Sequence, residues 1–415
     1  MKRRVVVTGM GIISPLGCNL NTVWERATSG VSGIRRISTF DATDYASQIA
    51  GEVVDFKAED YECLDRKSIR HMDPFTYFGM AASELAVKDS GIDFTSVDTE
   101  RCGVVIGSGI GGLHVLQEMG INLAQTGNKR FSPFMIPQML TNILAGHVAI
   151  KYGLKGPNYC VVSDCASAAH SLGESLRMIQ HGEADLFLAG GAESAINELG
   201  VGGFARMRAL CSHFNDRPTE GSRPFDAGRC GFVIGEGAAT LMIEEYEHAK
   251  RRGAKIYCEL AGYGRTCDAH HMTAPDEFGR GAARAMTLAM ADAGVTPAQV
   301  DYINAHGTST PLNDKCETLA IKGALGDEHA RRVAISSTKS MTGHLLGAAA
   351  GVESVFCVKA IETGVIPPTL NYTTPDPDCD LNYTPNVKAE RPVKVVLNNS
   401  LGFGGHNACL CFKAV

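Results

Sequence analysis

Short apolar runs that fit buried strands alternate with stretches of helical periodicity along the whole 415-residue sequence, and this restricts the chain to α/β folds. The valines at 5–7 open the series, and runs at 103–106, 186–191, 238–244, 256–262, 300–304, 333–337 and 394–398 continue it. Helical patterns lie between them, for example at 66–89, 135–152, 279–293 and 341–362. Strands linked through helices pair in parallel, so mostly parallel sheets are expected. No shift in composition marks a floppy linker. The expected division is two similar halves, 1–250 and 251–415, sharing one core and related by a duplication meeting near residue 250.

Composition narrows the function. Hydrophobic residues make up 44% and charged residues 20%, ordinary for a soluble globular protein. The net charge of −6 argues against nucleic-acid binding. No apolar run reaches membrane-spanning length. The 14 cysteines include no CxxC pair and no Cys/His cluster at zinc spacing, so they read as reduced thiols in the cytoplasm and no metal is expected. The first strand follows directly on Lys2-Arg3-Arg4, with no signal or transit pattern before it.

The chemistry concentrates at Ser163-Asp164-Cys165-Ala166-Ser167-Ala168-Ala169-His170. The run from Tyr159 to Val162 reads as the end of a buried strand, and Ala169, Leu172, Leu176 and Ile179 fall on one face of a following helix. Cys165 then sits where strand turns into helix, and free N–H groups at a helix start favour thiolate over thiol. A buried apolar cysteine is the plainer alternative. Two distant histidines shift the balance. His306, in Asn304-Ala305-His306-Gly307-Thr308, and His344, in Lys339-Ser340-Met341-Thr342-Gly343-His344, both follow predicted strands, where α/β folds gather ligands. A helix is expected to start at Gly343-His344. The loop Gly107-Ser108-Gly109-Ile110-Gly111-Gly112 looks like a phosphate cradle but lacks Gly-Lys-Ser/Thr, so close backbone packing is the better account of its glycines.

These motifs, with Val7-Thr8-Gly9-Met10-Gly11, Lys155-Gly156-Pro157-Asn158, Ser222-Arg223-Pro224-Phe225-Asp226, Asp268-Ala269-His270-His271-Met272-Thr273 and Gly402-Phe403-Gly404-Gly405, cover essentially the whole chain. In this set the sequence resembles the β-ketoacyl-[acyl-carrier-protein] synthases, in their synthase II / synthase I branch. The resemblance implies a thiolase-like fold of five layers, α-β-α-β-α, usually a homodimer, with no cofactor. It implies an acyltransferase of fatty-acid elongation that condenses malonyl-acyl carrier protein, with loss of carbon dioxide, onto an acyl chain held by Cys165. His306 and His344 would donate hydrogen bonds to the enolate oxygen, and Lys339, with Glu353 as partner, would support them. The backbone N–H groups of Cys165 and Phe403 would form the oxyanion hole. Thr308 and Thr310 correspond to the family's pantetheine-binding pair, Phe403 to its gate and Ile110 to the mouth of its acyl pocket. Arg66, Lys67, Arg70, Lys129, Arg130 and Arg208 are candidates for gripping the acidic acyl carrier protein.

Two positions depart from the family's pattern. A small residue usually precedes the nucleophile, whereas this chain has Asp164, which would either cap the helix or oppose the thiolate. His406 stands where many relatives carry threonine and reads as a structural residue. Two other functions remain on the sequence alone. A degradative thiolase needs a second active cysteine, for which Cys409 and Cys411 are the candidates, and a non-catalytic chain-length factor lacks the nucleophile. A polyketide ketosynthase shares the same chemistry.

Overall fold

The computed structural model describes residues 2–65 and 67–415, the side chains of 128 and 129 excepted. The first half carries β1 (Val5–Ile13), β2 (Cys102–Gly107), β3 (Asn158–Tyr159), β4 (Leu186–Glu193) and β5 (Gly237–Glu245). The second carries β6 (Cys258–Cys267), β7 (Tyr302–Asn304), β8 (Ala334–Ser336), β9 (Val395–Gly402) and β10 (His406–Lys413). The strands order as β1-β5-β4-β2-β3 and as β6-β10-β9-β7-β8. The second order is the first with every label advanced by five. Strand directions repeat as well: β2 pairs in parallel with β3 and β4, and β7 with β8 and β9, while β5 and β10 run antiparallel to both neighbours. The two sheets join into one ten-stranded ladder where Val6 and Val7 of β1 pair antiparallel with Glu259 and Cys258 of β6.

The helices that matter for the site are α1 (Pro74–Ser90), α2 (Leu113–Thr126), α3 (Met135–Met139), α4 (Ile143–Tyr152), α5 (Ser167–Gln180), α6 (Arg280–Ala293), α7 (Pro311–Leu325) and α8 (Ala349–Thr363). α1 and α4 cover the outer face of the first sheet, and α6 and α7 that of the second. α5 and α8 lie between the sheets and pack against both. α8 is apolar almost all round, which suits burial on every side. α5 buries Ala169, Leu172, Leu176 and Ile179, the face expected from its periodicity. The result is the five-layer α-β-α-β-α arrangement. Among the described residues no helix is long and apolar enough to cross a membrane.

Several local expectations are corrected. The sheets are mixed rather than mostly parallel. A three-residue turn, Phe403-Gly404-Gly405, joins β9 to β10, and so short a link permits only an antiparallel neighbour. The run from Tyr159 to Val162 is not a buried strand: β3 stops at Tyr159, forms the sheet's outer edge, and leaves Val162 56% exposed. His344 does not open a helix; it forms an isolated bridge with Ile234, and α8 begins at Ala349. The helix expected from residue 66 begins at Pro74, a position that suits proline's missing N–H. The helical stretch 135–152 breaks into α3 and α4.

One close approach between the halves joins the end of β9 to the turn of Cys165. A Cβ on Gly402 would lie 2.8 Å from the carbonyl oxygen of Ser163 and 3.3 Å from the nitrogen of Cys165. Gly402→Ala should therefore cost about 1–3 kcal/mol of overpacking strain, read as a lower thermal midpoint. An unchanged midpoint would mean that the two turns part freely.

Candidate active site

Cys165 lies in a single 3₁₀ turn, Asp164–Ala166, that feeds into α5. Asp164 has a left-handed backbone, φ 52, a conformation that aspartate tolerates better than most residues. Ser167 ties the turn down: its hydroxyl accepts from the Ser163 N–H at 2.9 Å and donates to the Asp164 carbonyl at 2.7 Å. With the buried face of α5 anchored beneath it, the sulfur has little freedom to move.

The second half delivers both histidines to that sulfur. His306 follows β7, and the carboxylate of Glu317, from α7, accepts the N–H of His306 at 2.8 Å and that of Gly307 at 2.7 Å. Gly307 has φ 36, and a side chain there would meet Ser337 Cβ at 2.5 Å. His344 is held by its backbone: its N–H donates to Val233 at 2.7 Å, and its carbonyl accepts from Gly235 at 2.8 Å. Its Nε2 lies 2.9 Å from Cys165 Sγ, and the rings of His306 and His344 stand 5.3 Å apart at 85°. Sulfur and imidazole donor atoms all lie within 4.8 Å of one another.

Lys339 sets the character of these rings. Its ammonium pairs with Glu353 from α8 and lies 3.5 Å from His306 Nδ1. An ammonium has only donors, so Nδ1 faces it as a lone pair and the ring proton is assigned to Nε2, on the sulfur's side. Burial first, and the Lys339 charge second, hold both histidines well below the usual imidazole range. They are neutral N–H donors at pH 7. The same arrangement disfavours a metal, because a ligating histidine needs a bare nitrogen on the metal side and an acceptor behind it.

Burial and Asp164 together overturn the expected thiolate. Burial, and then the Asp164 carboxylate, push the Cys165 thiol well above its ordinary value. The carboxylate does not cap α5. One of its oxygens accepts the Phe403 N–H at 2.9 Å and lies 3.3 Å from Cys165 Sγ. The N–H expected to receive a substrate's oxyanion is thus already engaged by an anion from the chain itself.

The glycine loop at 107–112 cradles a carboxylate rather than a phosphate. Buried Glu193, at the end of β4, accepts from Ser108 Oγ at 2.9 Å and from the N–H groups of Gly109 at 2.6 Å, Ile110 at 3.2 Å and Gly111 at 3.2 Å. It also accepts from Gly347 at 3.0 Å, which pins the glycine loop to the approach to α8.

A cavity of about 360 Å³ opens over the site, lined by Cys165, His306, His344, Phe403, Thr308, Thr310 and Arg208 among others. The hydroxyls of Thr308 and Thr310 hydrogen-bond each other at 2.9 Å. Ile110 does not line this cavity; it packs with Leu346 and Cys165 in an adjoining apolar cluster. Lys67, Arg70 and Arg130 are exposed away from the cavity lining. Arg66 and the Lys129 side chain lie outside the described residues. His406 is exposed, and Cys409 and Cys411 are buried in the core of the second half. Glu317 and Glu193 carry no sequence signal: neither sits in a motif, and each acts by gripping backbone N–H groups, Glu193 far away in the chain and Glu317 on a neighbouring turn.

The family model described as "Beta-ketoacyl synthase, N-terminal domain" matches residues 2–249, and that described as "Beta-ketoacyl synthase, C-terminal domain" matches residues 257–373. The 3-oxoacyl-[acyl-carrier-protein] synthase 2 of Synechocystis sp. is 50% identical over 412 residues, covering 99% of this chain and 98% of the relative. That of Coxiella burnetii is 48% identical over 414 residues, covering 100% and 99%. Among solved structures, a beta-ketoacyl synthase from Burkholderia phymatum superposes with a TM-score of 0.92 at 35% identity, covering all of both chains. A type II PKS ketosynthase in complex with its acyl-carrier protein gives 0.91 at 36% identity, again over all of both chains.

The geometry around Asp164 has a direct consequence for the thiol. Asp164→Ala should lower the pKa of the thiol and so raise the rate of iodoacetamide alkylation near neutral pH, by roughly an order of magnitude. An unchanged or higher value in an alkylation-rate titration would mean that the carboxylate does not act on the sulfur.

Proposed function

The chain belongs to the β-ketoacyl synthase family, and on that premise we propose that it elongates fatty acyl chains by decarboxylative condensation of malonyl-acyl carrier protein with an acyl group carried on Cys165. The observation that carries this reading is the meeting of one sulfur and two neutral imidazoles in a single cavity, the sulfur 2.9 Å from His344 Nε2. A chain-length factor would have no use for that set. A thiolase would need a second thiol there, and Cys409 and Cys411 are buried in strand β10, away from the cavity lining. Relatives at 46–50% identity are named 3-oxoacyl-[acyl-carrier-protein] synthase 2, which favours fatty-acid elongation over polyketide assembly.

Two steps follow. Cys165 loses its proton and attacks the thioester of the acyl carrier; the carrier's C–S bond breaks and its thiolate takes up a proton. Asp164 makes this step hard twice over, by holding the thiol's proton and by occupying the Phe403 N–H. It must swing aside before a thioester carbonyl can accept from the backbone N–H groups of Cys165 and Phe403. Malonyl carrier then enters, its C–C bond to the carboxylate breaks, and charge moves onto the thioester oxygen between His306 and His344. Neutral donors fixed in advance are worth roughly 3–4 kcal/mol each in such a site. The carbanion attacks the acyl thioester and frees Cys165.

Substrate handling extends the same reading. Thr308 and Thr310, which satisfy each other across the cavity, would turn to the pantetheine arm. Phe403 would gate the site, and Ile110 would border the acyl chain from its neighbouring cluster. Arg208 at the cavity, with Arg66, Lys67, Arg70, Lys129 and Arg130, would steer the acidic carrier protein. The half 1–250 supplies the nucleophile and the half 251–415 the histidines. Fourteen free thiols favour a reducing, cytoplasmic setting. A homodimer is favoured by the exposed apolar residues concentrated on α2–α4 and around β3, including Ile121, Phe131, Ile136, Ile150 and Val162, beside an edge strand with an unpaired side.

Cys165→Ala should abolish acyl-enzyme formation by intact mass with the fold retained. His306→Ala or His344→Ala should still acylate but lose about a hundredfold or more in condensation rate. Normal elongation by either histidine variant would sink the donor assignment. Light scattering should give twice the chain mass, and Ile150→Glu, on a side chain 81% exposed, should shift it toward the monomer. A variant that stays fully dimeric would move the interface elsewhere.

A further inference from the structure

Behind one wall of the cavity lies a pair of thiols that the condensing reaction does not use. Residues 209–211 and 230–232 run side by side: the Phe232 N–H donates to Ala209 at 2.9 Å, the Cys211 N–H donates to Phe232 at 2.9 Å, and Leu210 and Phe232 form a parallel bridge. This pairing brings Cys211 Sγ to 3.0 Å from Cys230 Sγ. Among the described residues they are the only two sulfurs in such contact, although the chain has fourteen free cysteines. Closing a disulfide from there requires the sulfurs to approach by only about 1 Å.

We propose that Cys211 and Cys230 form a redox-active dithiol, a site of reversible disulfide formation by small-molecule disulfides that staples the cavity wall. This stands apart from the condensing function and would hold if that reading failed.

The two thiols are unequal, as an attacking and a resolving thiol should be. Cys211 is fully buried beside Ile34, Ile49 and Val233, whereas Cys230 is partly open to solvent. A hydrogen bond from the Cys211 thiol, together with the backbone N–H groups of Ser212 and His213, favours the thiolate at Cys230, while Cys211 is held in its protonated form. The Cys230 thiolate attacks one sulfur of a small disulfide, forming a mixed disulfide and releasing one small thiolate. Cys211 loses its proton to solvent, attacks the Cys230 sulfur and expels the second small thiolate. The protein pair gives up two electrons and two protons, and one small disulfide becomes two thiols.

The link would act on the site through Phe232. Its ring packs edge-on against the His344 ring at 5.3 Å, and Gly231, Phe232 and Ala209 all line the cavity. The bond would fix this strap in the position it already holds beneath the histidine, closing a loop that the reduced, unfolded chain leaves free.

The test exposes full-length protein to oxidised glutathione without reductant and reads intact mass and non-reduced peptide maps. The expected result is loss of two hydrogens, a peptide linking Cys211 to Cys230, a higher melting midpoint, and reversal of all three by dithiothreitol. Cys211→Ser removes the resolving thiol and should instead accumulate one glutathione on Cys230. Wild-type protein that accumulates that adduct, or that reacts at other cysteines while 211 and 230 stay reduced, would overturn the proposal. Equal formation of an internal disulfide in Cys230→Ser would overturn it as well.

Discussion

The site depends on a buried ion pair. Lys339 and Glu353 are almost wholly out of solvent, and stripping water from two charges costs several kcal/mol per ion. A pair of apolar residues would fill the same space more cheaply. What the ion pair supplies is a fixed positive charge behind His306, which adds to burial in holding that ring neutral and leaves its remaining proton on Nε2. Glu353 sits on α8, the helix shared by both sheets, so the ammonium is positioned by the core of the molecule and not by a loop. The reactive geometry therefore rests on the central helical layer, and removing either charge would leave the other buried without compensation.

That layer also explains how residues from opposite halves converge. Because the strand order repeats, each half offers the same kind of strand exit, and packing both sheets on α5 and α8 turns those exits toward one another. Cys165 comes from the first half and His306 and His344 from the second. Gly402, at the end of β9, closes against the turn of Cys165 so tightly that a methyl group would collide with it. The oxyanion hole expected at Cys165 and Phe403 is a by-product of this contact between turns, with one N–H from each half.

Much of this was legible in the sequence because it obeyed local rules. The buried face of α5 followed the helical period, and Cys165, His306 and His344 stood in motifs whose neighbours were as informative as the residues themselves. What escaped depended on distant partners. Residues 159–162 look like buried strand, yet they fall at the sheet's edge, where hydrophobicity serves an outer surface. His344 precedes a glycine- and alanine-rich run that reads as one helix, but its backbone is captured by Val233 and Gly235. The glycine loop has the form of an anion site, and only the fold reveals that the anion is Glu193. The carboxylates of Glu193 and Glu317 carry no motif, since their work is done on backbone N–H groups more than 80 residues away in one case and on a neighbouring turn in the other.

Asp164 is where the local rules and the function pull apart. A residue before the nucleophile must take a left-handed backbone, which aspartate does with little penalty, so the fold itself has no objection to it. Its side chain then accepts the Phe403 N–H, the group proposed for the oxyanion hole. A small residue would leave that N–H open for a thioester; the carboxylate satisfies it in the empty site and adds negative charge beside the sulfur. In the proposed mechanism the consequence differs between the two half-reactions. Charge on sulfur matters only until the thioester forms, because an acylated Cys165 has no thiolate to repel. The competition for Phe403 persists through both, since each step builds a tetrahedral oxyanion at the same carbon. Asp164 thus bears on the first step through the thiol and on both through the oxyanion hole, while the histidine pair that receives the enolate is untouched.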